Sequence, residues 1–521
     1  MFDLFEEITP RSSKESDKKL TSKLSSKKPS SSRGNTIKDK VELIQREVEH
    51  HLSFLFDVTE ECRSEERFVK FVDNFIQKDR GTIDTETLGV DYKEDKVFGF
   101  SMYSEGEKSI YVPILHKGYV TGQLLENQLS AEQVRKQFER VKDSNVKLIM
   151  HNGKFDLHMI YHNFGVMLPI WWDTMIASRL LHSSEDDHSL KYQYNVKVKK
   201  EKGKPYDFKS LFSGVPPEMV PIKTMTPYAA GDTFETLELQ KYQEEEFKKY
   251  PGIYKIFQLE MRLLPMVIEM EENGVCIDME VLHQMESKYV KKLNDARTAC
   301  YRELEKYSDK IARFNLQHPG KLSNPVNLSS PAQLAIILYD IIELAELPKY
   351  KRSTGKEVIK VFKEKNEFCK KLFDVKSVEK LVDGFIKALP VHITEEGKVH
   401  SDFIQVKGTG NTSEEDDESG ADTGRFACKT PNLQQIPSKG EAVELRKMFR
   451  ASKDEEKYIE TDDNCFTIYI NNKVLTNRGW ITVKDLSIGD TLLCELNNKE
   501  VKRIVREIKI KNQTGLCDVL V

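Results

Sequence analysis

The segment GTIDTET, residues 81–87, sets two acids on one face of a strand-like run, because Asp84 and Glu86 are two residues apart and side chains alternate along a strand. Two acids on one face repel unless a cation sits between them. Two further segments carry acids in comparable settings. In HNGKFD, Asp156 follows the strand KLIM and opens a helix. In YAAGDTFETLEL, Tyr228 and Asp232 are four apart and stack on one side of a helix. Each segment alone also has an ordinary structural reading: a polar strand end, a helix-start charge, or core packing for Tyr228. Together, four carboxylates placed on or after regular elements fit two divalent ions shared by a phosphate.

The 521 residues allow roughly three or four packed domains at about 100–200 residues each. No apolar run approaches the ~18 residues a bilayer crossing needs, so no membrane partner is expected. The start, MFDLFEEITPRSSK, has no basic leader followed by a sustained apolar stretch, and the expected compartment is the cytoplasm. Eight cysteines occur without a Cys-x-x-Cys pair, which points to reduced core thiols and not to a zinc ribbon or a disulfide framework. A net charge of −4 means that contact with a polyanion must come from local basic patches.

Residues 1–40 read as a basic, Ser/Lys-rich disordered tail, either a solubilising leader or a non-specific arm for nucleic acid. An amphipathic pattern from Asp39 to about Phe56 predicts one helix, within a segment bounded at 41–67. Strands are expected at Gly81–Asp84, Val97–Tyr103, Ile110–Leu115 and Val146–Met150, and a helix at Ala131–Lys142. Helical periodicity over Leu259–Lys306 breaks around Glu272, Asn273 and Gly274. The acidic insertion SEEDDESGAD is expected to be a solvated loop.

Asp-Thr-Glu, then NGKFD, then Tyr-x-x-x-Asp resembles the 3′-to-5′ exonuclease domain of family A (polymerase I type) DNA polymerases, in its tyrosine subclass. The resemblance implies that Asp84, Glu86, Asp156 and Asp232 hold two Mg2+ ions, with Mn2+ the alternative, and that Tyr228 orients the attacking water. One ion would activate that water and the other would stabilise the departing 3′ oxygen of a single-stranded DNA end. WWDTMIASRLL and HSLKY resemble the segment between the second and third motifs, with Asp173 structural. Asn152 has two open readings, a contact to the strand or a helix cap.

QLEMRLLPMVIEMEENGVCIDMEVL resembles the opening of the family A polymerase domain, through Pro265, Glu271, Gly274 and Asp278. NPVNLSSPAQLAIIL and PKYKRSTGKEVI resemble its thumb, where Lys349, Lys351, Arg352 and Lys356 either meet duplex phosphates or form a solvated charge run. TGRFACKTPNLQQIP implies that Arg425 lies near the primer terminus. The first metal-binding strand of the palm follows, but the second palm acid and the Arg-x-x-x-Lys helix do not, so polymerisation requires a missing C-terminal part.

At Cys465 the pattern changes: CFTIYINNKVLTNRGWITVKDLSIGDTLL resembles the start of an intein, the self-splicing Hint fold. The resemblance implies that the Cys465 thiol attacks the Asn464 carbonyl to form a thioester. The ordinary reading of Cys465 is a buried strand cysteine. The 57 residues from 465 to 521 are part of a Hint fold, and the final apolar strand is expected to expose an open edge for a partner fragment. Asp463 is then the palm metal ligand, with Asp462 the alternative.

The expected architecture is α/β, then mainly α, then β. A ribonuclease H-like exonuclease domain spans 68–252, a helical thumb with a partial palm spans 253–464, and a partial all-β Hint segment spans 465–521. The expected function is that of the N-terminal fragment of a bacteriophage DNA polymerase, acting in the infected host cell. Its partners would be DNA, as single-stranded 3′ end and primer-template duplex, and a C-terminal intein-polymerase fragment. The competing readings are a truncated chain acting only as an exonuclease and a non-catalytic DNA-binding scaffold.

Overall fold

The computed structural model describes residues 36–407, 424–436 and 441–450, residues 485 and 487, and the backbone of strands between 465 and 520. The tail up to residue 35, the acidic insertion at 413–422, and Asp462, Asp463 and Asn464 lie outside the described residues. The chain divides into two units, one of residues up to 174 with 189–242, the other of 175–188 with 243 onward.

In the first unit, helix α1 (Ile37–Leu52) begins inside the stretch expected to be tail and ends four residues before Phe56. Its start is fixed by a reciprocal cap. Thr36 Oγ1 accepts from the Asp39 N–H at 3.2 Å, and the Asp39 carboxylate accepts from the Thr36 N–H at 2.8 Å. Val41, Ile44, Val48 and Leu52 then recur at three- and four-residue steps and are buried. Strand β1 (Thr59–Glu61) and helix α2 (Glu65–Phe75) follow, so the expected boundary at residue 67 falls within a helix.

Next come β2 (Arg80–Thr87), β3 (Val97–Tyr103), β4 (Ser109–Pro113), α3 (Ala131–Lys142), β5 (Lys147–Met150), α4 (Gly153–Phe164) and β6 (Trp172–Asp173). The six strands form one sheet in the order β1-β4-β3-β2-β5-β6. Strands β2, β3 and β4 make an antiparallel meander, while β5 runs parallel to β2, β6 to β5, and β1 to β4. Every residue of β3 and β4 is buried, which requires helices on both faces. The register pairs Glu86 with Gly99 and Thr87 with Val97, skipping Phe98. The bulge explains why Phe100 meets Phe68 and Phe138 while Phe98 joins a cluster with Val41, Leu52 and Ala229. Helices α5 (Thr174–Leu181), α6 (Leu190–Gln193), α7 (Phe208–Phe212) and α8 (Ile222–Lys249) follow in chain order.

The second unit includes α9 (Pro251–Asn273), with a proline in the first turn, where its missing N–H costs no helical bond. Gly274 ends the helix at φ +59°, and a Cβ there would approach the His400 ring to 2.7 Å and the Val399 carbonyl to 2.8 Å. After β7 (Val275–Ile277), the Asp278 carboxylate accepts from the Val281 N–H at 3.1 Å and starts α10 (Met279–Glu305). Buried Glu271 accepts from the Phe403 N–H at 2.6 Å. The Glu271, Gly274 and Asp278 pattern therefore ends one helix, turns the chain and starts the next.

Helices α11 (Ser308–Gln317), α12 (Pro331–Ala335), α13 (Lys356–Phe362) and α14 (Glu367–Leu381) complete the helical part, and Leu293, Cys300 and Leu304 of α10 share its core with Cys369, Leu372 and Val375 of α14. Strands β8 (Lys398–Val399), β9 (Asp402–Ile404), β10 (Ala427–Lys429) and β11 (Phe449–Arg450) form a three-stranded sheet, β11-β7-β8, and a β9-β10 pair. From Cys465 onward the described elements are strands β12 (Cys465–Phe466), β13 (Lys473–Thr476), β14 (Gly479–Thr482), β15 (Thr491–Leu496), β16 (Lys499–Ile504), β17 (Glu507–Lys511) and β18 (Leu516–Leu520). They pair antiparallel in two sheets, β12-β18-β17 and β14-β13-β15-β16. The final strand pairs along its whole length with β17 on one side, and on the other side, among the described residues, only 519–520 are paired, with 465–466.

Among the described residues, Cys62, Cys276, Cys300, Cys369 and Cys428 are free and buried. No described helix is long and apolar enough to cross a membrane.

Candidate active site

Asp84 and Glu86 stand on β2, Asp156 in the first turn of α4, and Tyr228 and Asp232 on α8. Three buried hydroxyls of the sheet fasten α8. Thr82 Oγ1 donates to the Thr233 carbonyl at 2.9 Å, Ser101 Oγ donates to the Ala229 carbonyl at 2.8 Å, and Ser109 Oγ lies 2.7 Å from Thr233 Oγ1. These bonds bracket Asp232 and fix which part of the helix faces the acids of β2. The start of α4 is fixed by Asp173, whose carboxylate accepts from the Gly153 N–H at 2.7 Å and the Asn152 N–H at 3.3 Å. Asn152 takes the left-handed conformation, φ +61°, and its side chain makes no capping bond, so the cap reading of that residue is corrected.

Glu86 and Asp156 are buried, and Asp84 and Asp232 are half-buried. Asp156 Oδ1 accepts from both the N–H and the hydroxyl of Thr85, at 2.9 and 2.5 Å. Asp232 Oδ1 accepts from the ammonium of Lys191, which also donates to Glu235 at 3.0 Å. Burial raises the pKa of Asp84 well above the ordinary range, and the charges of Asp156, Asp232 and Glu86 add to it. Glu86 is raised by burial and by Asp232. Burial pushes Asp156 up to about 7 against the two bonds from Thr85, and pushes Asp232 up to about 6 against the pull of Lys191. Tyr228 is raised well above its usual value, first by burial and then by Asp232, so its phenol stays protonated at neutral pH.

The charges of Asp156, Asp232 and Glu86 thus reach Asp84, and those of Asp232 and Asp156 reach Glu86, so the four carboxylates share one neighbourhood. Their oxygens are the hard donors that suit Mg2+ or Mn2+, and their accumulated charge is what a divalent cation offsets. Among the described residues no three Asp, Glu, His or Cys side chains stand at the mutual spacing of a closed metal shell, in keeping with the bonds that hold Asp156 to Thr85 and Asp232 to Lys191.

Lys191, Glu235 and Tyr206 are site residues that the sequence reading missed. Glu235 follows Asp232 by three and Tyr228 by seven, a polar stripe on a helix with buried neighbours, and this was the available signal. Of the residues expected to bind nucleic acid, Arg352 is engaged within the chain: it forms two bonds to Asp340, at 3.1 and 2.5 Å, with Glu346 at 3.8 Å. Lys351 is exposed at φ +45°, and Arg425 is exposed beside Gly424. Cys465 begins β12, and Asp463 lies outside the described residues.

The folded values of Asp156 and Asp232, about 7 and about 6, lie above the ~3.9 of an unfolded aspartate, so the folded protein binds more protons between those limits. That stabilisation is present in full at low pH and is lost as pH rises through 6 to 7. In chelator, the melting temperature of the carboxylate-bearing unit is expected to be higher near pH 5 than near pH 8. A melting temperature that rises toward pH 8 would show carboxylates already relieved of one another.

Residues 64–248 match the family described as 3′-5′ exonuclease, and residues 290–465 match DNA polymerase family A. DNA polymerase I of Borreliella burgdorferi is 28% identical over 376 residues, covering 71% of this chain and 36% of that protein. DNA polymerase DpoZ of Acinetobacter phage SH-Ab 15497 is 26% identical over 424 residues, 76% of this chain and 62% of that protein. The POL domain of Pol1 from M. smegmatis, solved in complex with DNA primer-template and dNTP, shares the fold at a TM-score of 0.57 and 16% identity, over 79% of this chain and 61% of that one. The chain spans about a third of the length of the bacterial relative, 36%, and less than two thirds of the phage relative, 62%. With both domain matches in chain order, the chain is similar over most of its length to the family A DNA polymerases that carry a 3′-5′ exonuclease domain.

Proposed function

We propose that the first unit removes nucleotides from a single-stranded DNA 3′ end, with Asp84, Glu86, Asp156 and Asp232 holding two Mg2+ ions. The observation that carries this reading is the gathering of four carboxylates, each raised by burial and two of them, Asp84 and Glu86, raised further by the other acids, within the exonuclease match. The sheet order, a meander followed by two parallel strands, supports the ribonuclease H-like assignment. Bound divalent ions would supply Lewis acidity toward water and phosphate. The chain's own residues do the rest. Tyr228 keeps its proton and serves as a hydrogen-bond donor to the attacking water, not as its base. Half-buried Asp84 and Asp232 are the more accessible pair, and Glu86 and Asp156 are buried. With Mg2+, the full chain is expected to release nucleoside monophosphates from a 5′-labelled single strand. Asp84→Ala should reduce the rate by about three orders of magnitude. An unchanged rate would leave the carboxylates without that role and favour a DNA-binding scaffold.

We infer further that residues 465–521 are the N-terminal part of an intein that interrupts the palm, with Cys465 as nucleophile and Asp463 as the palm metal ligand beside the junction. Two observations support it. The polymerase match stops at residue 465, and from there the described backbone is antiparallel β-structure in which 465–466 pair with 519–520. Polymerisation would then need the rest of the palm and the fingers, which the match over residues 290–465 does not include. Mixing the chain with a fragment that carries the remaining Hint and palm sequence should give a ligated product of larger mass, and Cys465→Ala should abolish it. A ligation product that persists in Cys465→Ala would remove the thioester step.

A further inference from the structure

We propose that Lys191 is a built-in counter-cation of the carboxylate site, a positioning residue that holds Asp232 in place before a divalent ion arrives and weakens the site's grip on that ion. This rests on the exonuclease reading above and adds to it a residue from outside the acidic motifs.

Lys191 is on α6, 41 positions before Asp232, and its side chain is only 7% exposed. An ammonium withdrawn from water is tolerated only where carboxylates replace its hydration. Here Asp232 Oδ1 and Glu235 Oε2 do so, and the rings of Tyr228 and Tyr206 flank Nζ with centroids at 4.8 and 5.1 Å. Tyr206 in turn donates its hydroxyl to Glu235 Oε1 at 3.3 Å and so helps to hold the second acceptor of the ammonium. Glu235 is 1% exposed and belongs to none of the acidic motifs. Its structural job is to fix Lys191.

The ammonium does more than fill this niche, because its field also acts on Asp84 and Glu86. It engages Oδ1 of Asp232, which leaves Oδ2 for another cation. Two consequences follow from charge alone. Without Lys191 the carboxylates have no internal compensation, and the fold depends on a bound divalent ion. With Lys191, an incoming divalent ion meets a fixed positive charge across Asp232 and binds less tightly than the acids alone would bind it.

The test compares the full chain with Lys191→Met, which keeps the length of the stem and removes the charge. Melting is followed in chelator and in Mn2+, and the Mn2+ dissociation constant is measured by electron paramagnetic resonance. In chelator the variant should melt roughly 5–10 °C lower than wild type. Saturating Mn2+ should recover most of that loss, and the Mn2+ dissociation constant should fall by about tenfold. Adding Asp232→Asn to Lys191→Met at pH 8, where Asp232 is ionised, removes one negative charge for the positive one lost, and should restore the melting temperature in chelator. This second variant decides the matter even if Lys191→Met alone does not fold. An equal melting loss with and without Mn2+, an unchanged dissociation constant, or a double variant no more stable than the single one would overturn the role of Lys191. A wild-type chain that binds no Mn2+ would overturn the metal site itself, and the proposal with it.

Discussion

Electrostatic repulsion among buried carboxylates is the constraint around which the first unit is organised. Asp84 and Glu86 share one face of β2, Asp156 enters from α4 and Asp232 from α8, and burial raises the pKa of each while Asp84 and Glu86 are raised further by the other acids. Such an arrangement opposes folding, so it persists only because other bonds impose it. Those bonds are visible: Thr82, Ser101 and Ser109 tie the sheet to α8, Asp173 takes the first amides of α4, and Thr85 holds Asp156. The neutral hydroxyls fix backbone positions without adding charge, which leaves the acids oriented by their elements and not by one another.

The same logic accounts for the buried lysine. A site that later accepts cations has to survive without them, and one ammonium pinned by Glu235, Tyr206 and Asp232 supplies partial compensation. Full compensation would leave nothing to attract a divalent ion, and none would leave the unit strained. In the second unit the motif residues work differently. Glu271, Gly274 and Asp278 satisfy backbone groups at a helix end and a helix start, a task of architecture and not of chemistry.

Much of the carboxylate site was legible in the sequence because its signals are local. The i, i+2 spacing of Asp84 and Glu86 and the i, i+4 spacing of Tyr228 and Asp232 translate directly into shared faces. The strand Val97–Tyr103 and the helix Ala131–Lys142 have the bounds that their periodicity implies, the latter with a Ser130–Gln133 capping box. Lys191 was hidden because its role depends on a contact across 41 residues, and a lysine next to tyrosines reads as a surface residue until the fold buries it. The pairing of Arg352 with Asp340, 12 residues away, was hidden for a related reason: a basic loop in isolation shows no partner. The pairing of β18 on both sides could not be read from an apolar run alone, since strand order leaves no local mark.

The account stands on the claim that Asp84, Glu86, Asp156 and Asp232 form one divalent-cation site with Lys191 at its edge. A crystal structure of the chain soaked in Mn2+, with data collected at the manganese absorption edge, tests it most directly. The expected result is anomalous density in ligand contact with Asp84 and the second oxygen of Asp232, with the Lys191 ammonium still on the first. Anomalous density absent from that space, or an ammonium expelled from Asp232 whenever the ion is bound, would contradict it.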